Sequence, residues 1–143
     1  MARRFLGVDV GARRVGLAIS DASGTLARPL ETIAVASGRD AVDRVARRID
    51  ELAREDDGLA AIVVGMPAAL DGTATPESAR VAAFIATLAT RTPLAIATED
   101  ERLTSREAES RLAVRERDWR KRKRKLDAAA AAIILQDYLD RRT

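Results

Sequence analysis

The sequence predicts an α/β fold, a mixed sheet of three antiparallel strands followed by parallel strands, with flanking helices. Two patterns and one bound carry that expectation. Near the start, three strand-like segments are joined by short turns, which implies an antiparallel meander. Beyond Arg39, helical periodicities alternate with short, continuous apolar runs, the mark of crossover helices between buried parallel strands. The bound is size: 143 residues, 47% apolar and 33% charged, suit one domain over 1–143 with one core.

The elements follow in order. Arg3 to Val10 reads as the first strand, with Phe5, Gly7 and Asp9 on one face and Leu6, Val8 and Val10 on the other. Gly11 ends it in a turn. Arg14 to Ser20 is the second strand, with Val15, Leu17 and Ile19 sharing a face. Ala22-Ser23-Gly24-Thr25 is a turn, and Leu30 to Val35 reads as the third strand, after Pro29. Arg39 to Glu55 is an amphipathic helix through Val42, Val45, Ile49 and Leu52. The apolar run Ala60 to Val64 is a buried strand. A polar loop, Met66 to Thr75, leads to Thr75-Pro76-Glu77-Ser78, an N-cap with Pro at the first helical position. That helix continues through Val81, Phe84, Ile85 and Leu88, and Pro93 to Thr98 is the last strand. Thr104 or Ser105 caps a short helix to Leu112. Arg115 to Lys125 lacks apolar periodicity apart from Trp119 and reads as a mobile basic loop; Leu126 to Arg142 closes the order as a helix.

Composition narrows the chemistry. Histidine and cysteine are both absent, which excludes disulfides, Cys or His zinc sites, thiol nucleophiles and Ser-His-Asp devices. Catalysis would rest on carboxylates, hydroxyls, Lys or Arg. The longest apolar run, Ala128 to Leu135, is too short to span a bilayer, so no membrane and a cytoplasmic location are expected. The formal net charge of +3 is unevenly spread: Glu101 to Leu126 holds 11 Arg or Lys against 5 Asp or Glu, a net of +6 against −3 elsewhere. The three lysines all lie within Lys121 to Lys125. That asymmetry points to an anionic partner, nucleic acid first.

Three acidic positions stand out. Asp9 sits inside an apolar strand, where a carboxylate must be ion-paired, hydrogen-bonded or bound to a cation; Arg13, Arg14 and the amides of the Gly11 turn are the structural partners at hand. Glu99-Asp100-Glu101-Arg102 follows a buried strand, at the sheet end where α/β active sites collect, or it is a solvated loop paired to Arg102. Asp127 opens the last predicted helix, where an N-cap role is the plain alternative. Asp137 and Asp140 read as surface acids. Together, three carboxylate positions from two strands and a helix suit an all-oxygen Mg²⁺ or Mn²⁺ site, and two such ions can clamp the attacking and leaving oxygens of a phosphodiester. Arg14, Trp119 and the run Arg120, Lys121, Arg122, Lys123, Arg124 and Lys125 are the candidate nucleic-acid contacts. Trp119 could stack on an unpaired base or anchor the loop to the core. Gly7, Gly11 and Gly16 read as turn glycines, with close phosphate approach as the alternative. Thr73 and Ser78 read as loop or cap residues that could also line a cleft.

Four ordered motifs carry a family resemblance over nearly the whole chain. They are Gly7-Val8-Asp9-Val10-Gly11 with Arg14-Val15-Gly16-Leu17-Ala18 and Ser20-Asp21; Val64-Gly65-Met66-Pro67 with Asp71-Gly72-Thr73; Asp100-Glu101-Arg102-Leu103-Thr104-Ser105; and Lys125-Leu126-Asp127 with Ala129-Ala130 and Ile134-Leu135-Gln136-Asp137-Tyr138-Leu139. In these the chain resembles the YqgF/RuvX family, Holliday-junction-resolvase-like proteins assigned as pre-16S rRNA nucleases. Met66 and Ser105 depart from the family's usual residues without removing an acid. The resemblance implies a ribonuclease-H-like fold. It puts Asp9 in the place of the first-strand catalytic aspartate, Glu101 in that of the later acid with Asp100 as the alternative, and Asp127 in that of the last-helix acid.

The expected function is then a divalent-metal-dependent endonuclease, a hydrolase processing the 5′ end of precursor 16S ribosomal RNA, as monomer or weak homodimer. Three other readings compete. One is resolution of branched DNA, which demands a dimer. Another is a non-catalytic RNA-binding ribosome assembly factor, whose binding is salt-sensitive and metal-independent. The last is an ATP-binding module, from the likeness of Asp9-Val10-Gly11 and Gly16 to the first phosphate loop of actin and sugar-kinase ATPases, enzymes that need two lobes.

Overall fold

The computed structural model describes residues 3–67, 72–100 and 119–142, with the backbone alone at 119–126. Among the described residues, eight elements run in the order β1 (Arg4–Val10), β2 (Arg14–Ser20), β3 (Ala27–Ala34), α1 (Gly38–Ala53), β4 (Leu59–Met66), α2 (Pro76–Leu88), β5 (Ala95–Asp100) and α3 (Trp119–Arg142). The strands form one sheet in the order β3-β2-β1-β4-β5. The β1–β2 and β2–β3 pairs are antiparallel, and the β1–β4 and β4–β5 pairs are parallel. This is the mixed sheet expected from the pattern, with β1 at its centre.

Alternation along β1 sorts the two faces. Leu6, Val8 and Val10 join Val15, Leu17 and Ile19 of β2 and Ile62 and Val64 of β4 in the main core, covered by α1 and α2. Helix α1 delivers Val42, Val45, Ile49 and Leu52 to it; α2 delivers Val81, Phe84 and Leu88. On the other face, Phe5, Ala18 and Val63 pack under Ala131, Ile134, Leu135 and Leu139 of α3. Small residues dominate that sheet face, so a single helix seats closely on it.

Caps fix the helix starts. The Ser37 hydroxyl accepts the Asp40 amide at 3.1 Å, and the Asp40 carboxylate accepts the Ala36 amide at 2.8 Å. Thr75 and Ser78 form a reciprocal capping box, with Pro76 just inside the helix. Ser78 is thus a cap, and the sequence expectation at Thr75 holds.

Three expectations need correction. Strand β3 starts at Ala27, ahead of Pro29, which pairs with Ala18 beside a register shift. Proline is tolerated there because β3 is an edge strand. Helix α3 starts at Trp119, so the run Trp119 to Lys125 is helical rather than a loop. Arg and Lys are good helix formers, and the turns propagate from the packed segment that follows. Gly7 and Gly16 are strand residues under α3, not turn glycines: a Cβ on Gly7 would meet Leu135 Cβ at 2.8 Å and the Ala131 carbonyl oxygen at 2.9 Å. Gly11 does serve a turn, its amide donating to the Arg14 carbonyl at 2.9 Å. The expected helix from Thr104 or Ser105 to Leu112 and the stretch 115–118 lie outside the described residues.

Candidate active site

Asp9 is the third odd-numbered residue of β1, after Phe5 and Gly7, and is half-buried on the α3 face of the central strand. Across the antiparallel ladder it pairs with Gly16 of β2. Gly16 is where α3 comes down on the sheet: a Cβ there would stand 2.0 Å from the Asp127 carbonyl oxygen and 2.9 Å from the Ala128 amide nitrogen. Paired residues on adjacent strands have Cα atoms about 4.5–5.5 Å apart. The missing side chain at Gly16 therefore lets the backbone of Asp127 settle beside Asp9. One glycine thus sets the backbone of Asp127 over the register position of Asp9.

Asp127 is not an N-cap. It is the ninth residue of α3, two turns inside the helix. Its Oδ2 accepts a hydrogen bond from Arg14 Nε at 2.7 Å, both side chains being about a quarter to a third exposed. Arg14 shares the α3 face with Gly16, two residues along β2. The structure thus places Arg14 in an ion pair with Asp127. Asp21 is served by its own turn, accepting the Thr25 amide at 2.9 Å and the Ser23 hydroxyl at 2.9 Å. Those bonds, the Thr25 amide first, hold its carboxyl below the ordinary range.

Glu99 and Asp100, expected from the sequence to follow the last strand, are the final two residues of β5 and divide by strand parity. Glu99 pairs with Gly65 and Asp100 with Met66. Met66 packs with the α1/α2 core, so Asp100 projects to the face opposite Asp9 and is exposed. Glu99 projects to the α3 face and is 3% exposed. Burial pushes its carboxyl up; the adjacent Arg141, which donates to Glu99 Oε1, pulls the other way. That ion pair ties the last turn of α3 to the end of β5. Parity along Ala95, Ala97 and Glu99 marks Glu99 as inward, a signal hidden in the sequence by a run of three acids. Glu101 lies outside the described residues. Among the described residues no group of three or more acids is gathered to hold a metal ion.

Helix α3 is pinned at its far end as well. Gln136 accepts the Ala27 amide at 2.9 Å and donates to the Thr25 carbonyl at 2.9 Å. The Arg142 guanidinium lies 4.5 Å from the Phe5 ring centroid. Asp137 and Asp140 are exposed, as expected. The backbone of Trp119, Arg120, Lys121, Arg122, Lys123, Arg124 and Lys125 forms the first turns of this same helix. Trp119 stands eight residues before Asp127, about 12 Å along the axis. No helix among the described residues is long and apolar enough to cross a membrane.

Comparison with known proteins bears on this geometry. A family model described as RuvX, Holliday junction resolvase, matches residues 3–141. A Desulforudis audaxviator protein assigned as a pre-16S rRNA nuclease is 34% identical over 139 residues, covering 97% of this chain and 95% of its own. Relatives with the same assignment come from Chloroflexus aggregans, 40% identical with 96% and 94% covered, and Leifsonia xyli, 43% identical with 94% and 84% covered. Among solved structures, Thermus thermophilus RuvC in complex with a Holliday junction substrate aligns with a TM-score of 0.58 at 16% identity, covering 98% of this chain and 95% of that one. The fowlpox virus Holliday junction resolvase aligns with a TM-score of 0.54 at 13% identity, covering 98% and 99%. At such identities the likeness shows the fold, which is the ribonuclease-H-like one of the resolvases.

Proposed function

The chain belongs to the RuvX family, and from that premise we propose that it is a divalent-metal-dependent endonuclease processing the 5′ end of precursor 16S ribosomal RNA. The observation that carries this reading is the seating of Asp127 over Gly16, beside Asp9. Asp9 of the central strand and Asp127 of the helix packed over Gly16 lie on one face, near the C-terminal edge of β1, where ligands of α/β sheets bind, and this supports the reading. Parity sends Asp100 to the other face, so we assign the third acid to Glu101.

The donor set fits hard cations. Asp9, Asp127 and Glu101 offer only oxygen, which suits Mg²⁺ or Mn²⁺. Bound there, such ions supply an activated water and neutralise charge on the leaving oxygen. The chain's own groups do the rest. Asp9 is held on the central strand of the sheet, paired with Gly16 of β2. Arg14 orients the Asp127 carboxylate and lowers the repulsion between two neighbouring acids. The basic start of α3 supplies positive charge along the path of a phosphate backbone. The choice of ribosomal RNA rests on the assignment carried by the relatives.

The family description favours a second reading, cleavage of branched DNA by the same acids. One experiment separates them. A labelled precursor of the small-subunit rRNA 5′ end and a four-way DNA junction are each incubated with the protein and with Asp9→Asn, in Mn²⁺, Mg²⁺ or EDTA. Metal-dependent cleavage of the RNA alone is expected. Asp9→Asn should reduce it to background while its thermal unfolding stays cooperative. Cleavage of the junction alone establishes the second reading, and unchanged cleavage by Asp9→Asn removes Asp9 from the site. Metal-independent binding without cleavage of either substrate leaves the assembly-factor reading.

A further inference from the structure

On the face of the sheet opposite Asp9, a cavity of about 480 Å³ opens between the end of β1, the start of α1 and one side of α2. That volume lies in the range of small-ligand sites. Its floor is apolar: Ala41 and Val42 of α1 and Phe84 of α2 are buried there. Two exposed arginines, Arg39 and Arg80, line it, and among the described residues no acid does. Neither arginine makes an ion pair or side-chain hydrogen bond among the described residues. Asp40, the nearest acid in sequence to Arg39, is turned away to the Ala36 amide and to Arg44. The cavity thus combines an apolar floor with two uncompensated cations.

We propose that this cavity receives one unpaired nucleotide of the substrate strand, with its base on the Ala41, Val42 and Phe84 floor and its phosphate between Arg39 and Arg80. The proposal rests on the nucleic-acid reading above and adds a second contact to it. Position supports it: the cavity reaches Val10 and Gly11, the residues directly after Asp9. A strand crossing the C-terminal edge of the sheet from the acids comes straight to it. Charge supports it, since guanidinium pairs recognise phosphate and no described residue of the lining is acidic. Shape supports it, since a single pocket accepts a base only when that base is unpaired. The site would therefore select RNA with a single-stranded flank beside the cleaved bond.

The test is an amide-shift NMR titration of the full chain with a short oligouridylate, in EDTA so that nothing is cut. Shifts at Gly38, Arg39, Ala41 and Thr87 are expected, and they should vanish in Arg39→Gln/Arg80→Gln. In the same double variant the slope of log K against log salt should shrink by about 0.7, one phosphate's worth for a single strand. Ala83→Trp, which fills the cavity without altering charge, should also weaken binding. Still cavity amides, or unchanged affinity and slope in the double variant, overturn the proposal. So does an equal response to inorganic phosphate, which would make the cavity a simple anion site. Cavity shifts without precursor cleavage sink the nuclease reading and keep the cavity; cleavage without cavity shifts does the reverse.

Discussion

At the residue scale, the site turns on a position with no side chain. Asp9 and Asp127 were both legible in the sequence, one as a carboxylate in an apolar strand and the other as an acid beside a basic run. What joins them was misread, because Gly16 looks like a turn glycine until pairing shows it under α3. A glycine in a strand marks a close approach as often as a bend, and sequence alone does not say which backbone approaches. The structure makes the cost of a side chain there concrete. A methyl at Gly16 overlaps the Asp127 backbone, not a flexible side chain, so the helix itself must lift. Gly16→Ala is expected to destabilise the fold by about 1–3 kcal/mol, the usual range for overpacking. It should also lower cleavage, because Asp127 moves with the helix. Urea unfolding of this variant beside Gly38→Ala, whose added methyl meets nothing within 4 Å, measures the difference. Equal stability and full activity in Gly16→Ala would show that α3 does not depend on this contact. Glu99 carries a related lesson: acids in series look alike in a sequence, while strand parity buries one and exposes the next.

At the element scale, patterning read the core well and the edges poorly. The limits of β2 and the cap of α2 agree with the sequence expectation because apolar alternation and a Thr-Pro-x-Ser cap are local signals. Strand β3 was entered late because Pro29 reads as a breaker, and only its place at the sheet edge makes it harmless. The start of α3 was missed for a different reason. Residues 119–125 have no apolar face to show a period, so their helicity comes from propensity and continuity with the packed turns. Their charge works against that helicity. Arg and Lys at a helix N-terminus oppose the dipole, and the pairs Arg120/Arg124 and Lys121/Lys125 place like charges at i,i+4, each costing a few tenths of a kcal/mol. An element that keeps such charge has a use for it outside the fold, and neutralising it should cost binding rather than stability. Replacing Lys121, Lys123 and Lys125 with Gln is expected to leave thermal stability unchanged or raised. The salt slope of RNA binding should shrink by about 2, three single-strand phosphate contacts. An unchanged slope would mark the run as an ordinary solvated face.

At the scale of the whole molecule, the number of sites per assembly separates the two nuclease readings. The described residues form one sheet with one Asp9 and one helix packed over Gly16, so each chain brings one candidate site. Trimming an RNA end breaks one strand and needs one site. Resolving a junction breaks two strands symmetrically and needs two sites related by a two-fold axis. The distinction is kinetic as well as structural. If a single chain suffices, the rate of precursor cleavage per chain is independent of protein concentration. If the active species is a dimer, that rate rises with concentration until the dimer is saturated. We expect the first behaviour on RNA, with sedimentation of the active protein at the mass of one 15.5 kDa chain. A mixture of active protein with excess Asp9→Asn chain sharpens the measurement. In a monomeric enzyme the inactive chain only competes for substrate, and raising the substrate concentration restores the rate. In an obligate dimer it poisons mixed assemblies, and added substrate restores nothing. Poisoning of junction cleavage together with concentration-dependent rates would transfer the function to branched DNA, with the acids on β1 and α3 keeping the roles proposed for them.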